Sequence, residues 1–323
     1  MNGLRWMKRI CLVFVIIMPW VGQMVHGQAY RYRLVSTDAS SIDEQTVVGH
    51  IRSHTIARGE TLLDISRHYG LGFNELNIRY SELDEWIPPV GFEMKIPNRW
   101  VLPSTKYSGI VINLAELRLY RFFPRLEMVK TYPIAIGEPG FETPEGVYWV
   151  TEKEVDPTWI VPVSLRKHYD CISVPPGPKN PLGKYWLGLS HKGYGIHGTN
   201  FPWSVGRLVS HGCVRLYPEH IAQLVQEVSV GTMVEVVYQP VKVGIQGKRL
   251  FLEVHPDVYA RGIDMEEYAR KRLLALGLLD DVSVEKMKVA LHTQHGVPVQ
   301  IGTIEDPAAS CRECTRLIGS EGR

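Results

Sequence analysis

The sequence predicts a mainly β chain of the α+β type, with a small strand–helix–helix–strand (βααβ) unit ahead of a larger β-rich region. Two patterns carry this reading. After residue 107 the runs "SGIVINL", "LRLYRFF", "MVKTYPIAIG" and "GVYWVTEKE" are β-branched and aromatic and are separated by turn formers. Between residues 54 and 97 the apolar positions fall instead at helical spacing. Composition agrees: 323 residues, 45% hydrophobic and 22% charged, provide a core for more than one domain. A formal net charge of +2 gives no reason to expect nucleic acid as a partner.

Residues 1–27 read as a secretory signal peptide. Arg5, Lys8 and Arg9 precede "ICLVFVIIMPWVG", an apolar stretch short for a bilayer span, and Gly27 offers a small residue for cleavage before Gln28. A retained N-terminal anchor is the rival. Export implies a periplasmic, cell-envelope location, and residues 28–53, polar and without a sustained period, look like a leader. Cys11 lies inside the apolar run and is incidental, which leaves Cys171, Cys213, Cys311 and Cys314. These are too few for a disulfide scaffold, so a free thiol after export needs a chemical reason. Cys311 and Cys314 either close a small local ring or stay reduced in a flexible tail.

The 54–97 unit starts with a short strand over 54–56. Thr61 is placed to cap a helix carrying Leu62, Ile65, Ser66 and Tyr69, which Gly70 closes. A second helix covers 73–78, and "FEMKIP" returns as a strand. Within the β-rich region, 107–239, "VPPGPKNPLG" at 174–183 is too rich in Pro and Gly for regular structure and predicts an ordered surface loop. "YPEHIAQLVQEV" predicts a helix with Pro218 in its first position and Ile221, Leu224, Val225 and Val228 on one face. "GTMVEVVY" returns to strand. Residues 240–323 form a C-terminal extension with a strand-like "KRLFLEVHP" and a charged helical stretch around 264–276. They carry no obvious chemistry.

The chemistry concentrates in "HGTNFPWSVGRLVSHGCVRL", residues 197–216. One reading is nucleophilic catalysis. A free cysteine, pKa ~8.5, is mostly thiol at neutral pH and needs a base or a positive field. His211, His197 and Arg215 are at hand for Cys213, and Gly212 permits a turn that aims backbone N–H groups at an oxyanion. A second reading is a zinc site of His197, His211 and Cys213 with an open position, though neither a helical histidine pair nor a CxxC knuckle supports it. The third is a glycine-rich strand connection with incidental histidines.

Two family resemblances bear on these alternatives. Thr55, Gly59 to Leu62, Ile65, Tyr69-Gly70, Leu76-Asn77, Gly91 and Ile96-Pro97 resemble the LysM module, which implies binding to the glycan strands of peptidoglycan. A small packing domain is the plain alternative. "IHGTN", twelve intervening residues and "SHGCVRL", with "YPIAIGEPGFETPEGVYWVTEK" and "PTWIVP" upstream, resemble the YkuD-type L,D-transpeptidases over residues 107–239. That resemblance implies a β-sandwich-like catalytic domain acting without metal or cofactor. It implies Cys213 as nucleophile, His197 as base, a Gly198 carbonyl orienting the imidazole, and Ser210, His211 and Gly212 as the supporting element. Arg215, Thr199 and Asn200 are the candidate substrate contacts. The implied reaction forms a thioester with a tetrapeptide stem and transfers it to an amine, either crosslinking stems or anchoring an outer-membrane lipoprotein. Trimming by a carboxypeptidase or endopeptidase activity, or a non-catalytic wall-binding scaffold, are the alternatives.

Overall fold

A computed structural model describes residues 28–34, 44–166 and 171–304. The segment read as a signal peptide, and Cys311 and Cys314, lie outside the described residues. Among the described residues no helix is long and apolar enough to cross a membrane.

The β-branched runs assemble into a nine-stranded sheet. Its order is Ala29–Arg31, Met128–Pro133, Arg118–Phe123, Ile110–Asn113, Met233–Val237, Gly146–Val155, Tyr185–Leu189, Gly195–His197 and Val214–Arg215. Gly146–Val155 belongs to both halves. Residues 146–149 pair with Met233–Val237, and residues 150–155 pair with Tyr185–Leu189. A register shift between Val150 and Glu152 marks the change, as a bulge that bends a sheet does. Ile112, Leu119, Tyr132 and Val234 from one half meet Leu187, Ile196 and Val214 from the other in a common core. The helix Pro218–Glu227 seals that core with Ile221, Leu224 and Val225, and Pro218 occupies its first turn as expected. The fold class is therefore as predicted: mainly β, sandwich-like, with few helices.

The βααβ unit also forms where expected. Strands Arg52–Thr55 and Glu93–Ile96 pair antiparallel. Between them, Leu62–His68 is capped by Thr61, whose Oγ accepts the Asp64 N–H at 3.0 Å while Asp64 accepts the Thr61 N–H at 3.2 Å. Gly70 ends this segment at φ +66°, and Phe73–Asn77 follows.

Three features depart from the sequence reading. The leader contributes structure: Ala29–Arg31 extends the edge of the main sheet, and Val47–Gly49 pairs with Arg99–Val101. Strands of three residues are too short to show a period, and their register is set by distant partners. The βααβ unit is not strung on a connection, because Ile56, Leu62, Leu76 and Met94 share one core with Val111, Tyr120 and Phe122 of the main sheet. The extension after Pro240 is a third packed unit. Its strands Val241–Gln246, Arg249–Val254 and Val299–Thr303 are covered by helices Met265–Ala275 and Val284–Thr293, with Leu252, Leu273 and Met287 inside. The second of these helices, started by Ser283 accepting the Lys286 N–H, is absent from the sequence reading.

Candidate active site

Parallel pairing of Gly195–His197 with Val214–Arg215 sets Ile196 beside Val214 and His197 beside Arg215. Side chains alternate across a strand, so Ile196 and Val214 enter the core while His197, Arg215 and Cys213 share the opposite face. Two residues sixteen positions apart in the sequence are thereby brought to neighbouring strands on one surface.

The turn that presents the thiol is held by Ser210. This buried hydroxyl donates to the Cys213 carbonyl at 2.5 Å and accepts the Gly212 N–H at 3.2 Å. Gly212 sits at φ +99°, and a Cβ there would lie 2.4 Å from the Tyr194 ring, so both backbone and space require glycine. Ser210 thus engages the Gly212 N–H and closes the turn ahead of Cys213.

His197 is 3% exposed, and its Nδ1 lies 2.6 Å from the Gly198 carbonyl. A carbonyl only accepts, so Nδ1 carries the proton and Nε2 is left as the acceptor. Burial, reinforced by the Arg215 guanidinium, pushes the imidazole down to about 3, against the opposing effect of the Gly198 and Leu182 carbonyls. The ring is neutral at pH 7. Trp186, the strand partner of His197, stacks on it with ring centroids 5.8 Å apart. Gly195 makes room for that indole, since a Cβ there would be 2.3 Å from it. Glu152 accepts the indole N–H at 2.8 Å.

Cys213 is a partly exposed free thiol whose Sγ lies 3.6 Å from the Gly193 carbonyl. Desolvation pushes its pKa up, while hydrogen bonding from the Gly195 backbone and the charge of Arg215 pull it down less strongly. The resting pair is thus neutral thiol and neutral imidazole. Cys171 is a second free thiol, exposed and not bridged to Cys213.

His211 points elsewhere. Its Nε2 meets the Glu138 carboxylate at 3.2 Å and its ring stacks on Phe141 at 4.1 Å. Among the described residues, the three groups that converge tightly enough to share a cation are Glu116, Glu253 and His255, and the Lys242 ammonium already sits against both carboxylates. Thr199 is buried, with its hydroxyl accepting the Phe201 N–H at 2.9 Å. Asn200 is exposed and donates to the Lys179 carbonyl at 3.2 Å, tying the histidine strand to the Pro-rich loop. That loop is irregular as expected, and buried Asn180 pins it by donating to the carbonyls of Pro157, Val174 and Pro175. Trp203 lies under Arg67 of the βααβ unit, whereas Phe201 is exposed. Trp186, Glu138 and Phe141 went unread because only the sheet register brings them to the histidines; "GYGIHG", with two glycines before His197, was the available signal of close packing.

A histidine held in one tautomer, on the strand paired with the one that follows a free thiol on a glycine turn, is an arrangement suited to cysteine-dependent acyl transfer. Residues 108–236 match the family model described as the L,D-transpeptidase catalytic domain (YkuD). The chain is 34% identical to the probable L,D-transpeptidase ErfK/SrfK of Escherichia coli over 76% of its own length and 83% of that protein's. It is 37% identical to the probable L,D-transpeptidase YbiS of the same organism, covering 66% and 72%. Among solved structures, the catalytic domain from the E. faecium L,D-transpeptidase matches at 26% identity with a TM-score of 0.34, over 42% of this chain and 99% of that one. This chain belongs to the L,D-transpeptidase family.

Proposed function

We propose that this enzyme opens a peptidoglycan tetrapeptide stem through a thioester on Cys213 and passes the acyl group to an amine. The observation that carries the residue roles is the shared face of His197, Arg215 and Cys213 on paired strands, with His197 Nε2 as the free acceptor. As the Cys213 sulfur bonds to the carbonyl carbon of the third stem residue, its proton passes to His197 Nε2. The oxyanion is met by the N–H groups of the Ser210–Cys213 turn. The bond to the terminal D-alanine then breaks, and His197 returns the proton to the departing nitrogen. A side-chain amine attacks the thioester, again losing its proton to His197, and Cys213 leaves as the thiol. Arg215 faces the same cleft and suits a substrate carboxylate.

Both groups rest neutral, so the enzyme does not store a thiolate–imidazolium pair. Proton transfer accompanies attack, when the developing oxyanion offsets its cost. This suits a thiol exported to an oxidising compartment, because a neutral thiol is oxidised slowly. Residues 1–27 serve as the export signal in this reading, and residues 54–97 hold the glycan as a LysM module. The stem peptide of a neighbouring strand or the terminal lysine of an outer-membrane lipoprotein supplies the amine. Incubation with tetrapeptide muropeptides, with and without each amine, followed by mass analysis, tests this. A crosslinked or lysine-linked product with loss of D-alanine is expected. Free tripeptide alone, whatever the acceptor, would make the protein a carboxypeptidase instead.

A further inference from the structure

The C-terminal extension reaches the catalytic turn through a strap of residues 257–263. At its start, Asp257 accepts a hydrogen bond from the Tyr238 hydroxyl at 2.5 Å, and Ala260 turns the chain at φ +50°. Tyr259, stacked on Tyr238 at 5.8 Å, donates its hydroxyl to the Gly137 carbonyl at 2.8 Å and accepts the Thr143 N–H at 3.5 Å. Arg261 lies over the Tyr238 ring at 3.9 Å and pairs with Glu145 at 2.6 Å. Both ends of the loop 137–145 are therefore fastened by a unit that holds none of the catalytic groups.

That loop is the clamp on the nucleophile's turn. The Glu138 N–H donates to the Ser210 carbonyl at 2.9 Å, and Ala135 exchanges two 2.9 Å backbone bonds with Arg215, so both flanks of the turn are zipped to one segment. Glu138 and Phe141 hold the His211 ring between a carboxylate and an aromatic face. The His211 Nδ1 is buried and without a hydrogen-bond partner, two residues from Cys213. Gly137 cannot take a side chain here, since a Cβ would lie 2.1 Å from the Phe141 carbonyl.

We infer that Tyr259 is a positioning residue for catalysis, acting through the loop 137–143 to fix His211 and the Cys213 turn, and that the C-terminal unit is part of the catalytic machinery. This rests on Cys213 as the nucleophile. Misplacing a reacting group by about 1 Å can cost about a hundredfold in rate, and loss of one hydroxyl should move the turn by less. Tyr259→Phe in the full chain is therefore expected to lower kcat for D-alanine release roughly tenfold, with KM for the tetrapeptide donor unchanged and the protein still folded. In a His211→Gln background, where the clamped ring is gone and only the backbone ties to Ser210 and Arg215 remain, Tyr259→Phe should lower kcat by less than it does in the parent. Equal kcat for Tyr259→Phe and the parent overturns the inference, as does a full additional loss in the His211→Gln background. A Cys213→Ala protein that still turns over donor would fail the underlying assignment instead, and is scored separately.

Discussion

At the scale of single residues, the roles proposed for Cys213 as nucleophile and His197 as base can each be tested directly. Cys213→Ala removes one partly exposed sulfur, so the fold should persist while thioester formation and D-alanine release disappear. Intact-mass detection of the acyl-enzyme checks this, and a remaining adduct would reassign the nucleophile. The buried base makes a second prediction. His197 has a folded value of about 3 against an ordinary 6.5, so the unfolded chain binds the proton first as pH falls. Stability is full above pH 6.5 and is lost between 6.5 and about 3, at up to ~1.4 kcal/mol per pH unit. Urea unfolding of the parent should fall more steeply across that window than that of His197→Gln; parallel slopes would mean the imidazole is not held neutral. Cys213, His197 and Ser210 were legible in the sequence because their spacing is a local signature with a chemical reason. Trp186 and Glu138 were not, because each is distant along the chain from the histidine it contacts, His197 and His211 respectively.

At the scale of elements, the turn Ser210–Cys213 is a small device in which one hydroxyl satisfies two backbone groups. Ser210→Ala would leave the buried Gly212 N–H without its acceptor and the Cys213 carbonyl without its donor. Such losses cost about 1–3 kcal/mol, and the midpoint of urea unfolding should shift accordingly, with kcat falling as the turn loosens. Replacement by threonine, which keeps a hydroxyl, should recover part of both; recovery of neither would assign the effect to packing alone. Long or capped elements were readable: Thr61, Pro218 and the runs after residue 107 announce their structure through local signals. The strands Ala29–Arg31, Val47–Gly49 and Leu208–Ser210 were not, since each has three residues and exists only through a partner 50 to 101 positions away in the chain.

At the scale of the whole molecule, the three units behave as one body, which changes how the N-terminal module must be probed. Arg67 pairs with Glu219 through two bonds of 2.8 and 2.9 Å, fully buried Arg118 pairs with Glu75 at 2.5 Å, and the Tyr217 hydroxyl donates to the Leu71 carbonyl. Deleting residues 54–97 would uncover these groups and the shared core, so glycan binding is better tested by exposed substitutions such as Trp86→Ala in sedimentation with insoluble peptidoglycan. Unchanged sedimentation would leave the module a packing domain. The junction with the C-terminal unit is a buried charge cluster. Lys242 donates to Glu116, to Glu253 at 2.8 Å and to the Val101 carbonyl at 2.7 Å, while Glu253 also accepts the Val101 N–H and contacts His255 at 2.7 Å. Val101 comes from the strand beside the module, Glu116 from the main sheet, and Lys242 and Glu253 from the extension, so the cluster joins all three. Lys242→Met would strand two buried carboxylates and is expected to cost about 3–5 kcal/mol. Because this cluster joins all three units and Phe251 of the extension packs on Val47 and Val101, thermal unfolding should move down as one transition, seen alike by tryptophan fluorescence and far-UV circular dichroism. An early transition confined to one signal would show instead that the extension melts alone, and would remove the physical basis for its reach to the catalytic turn.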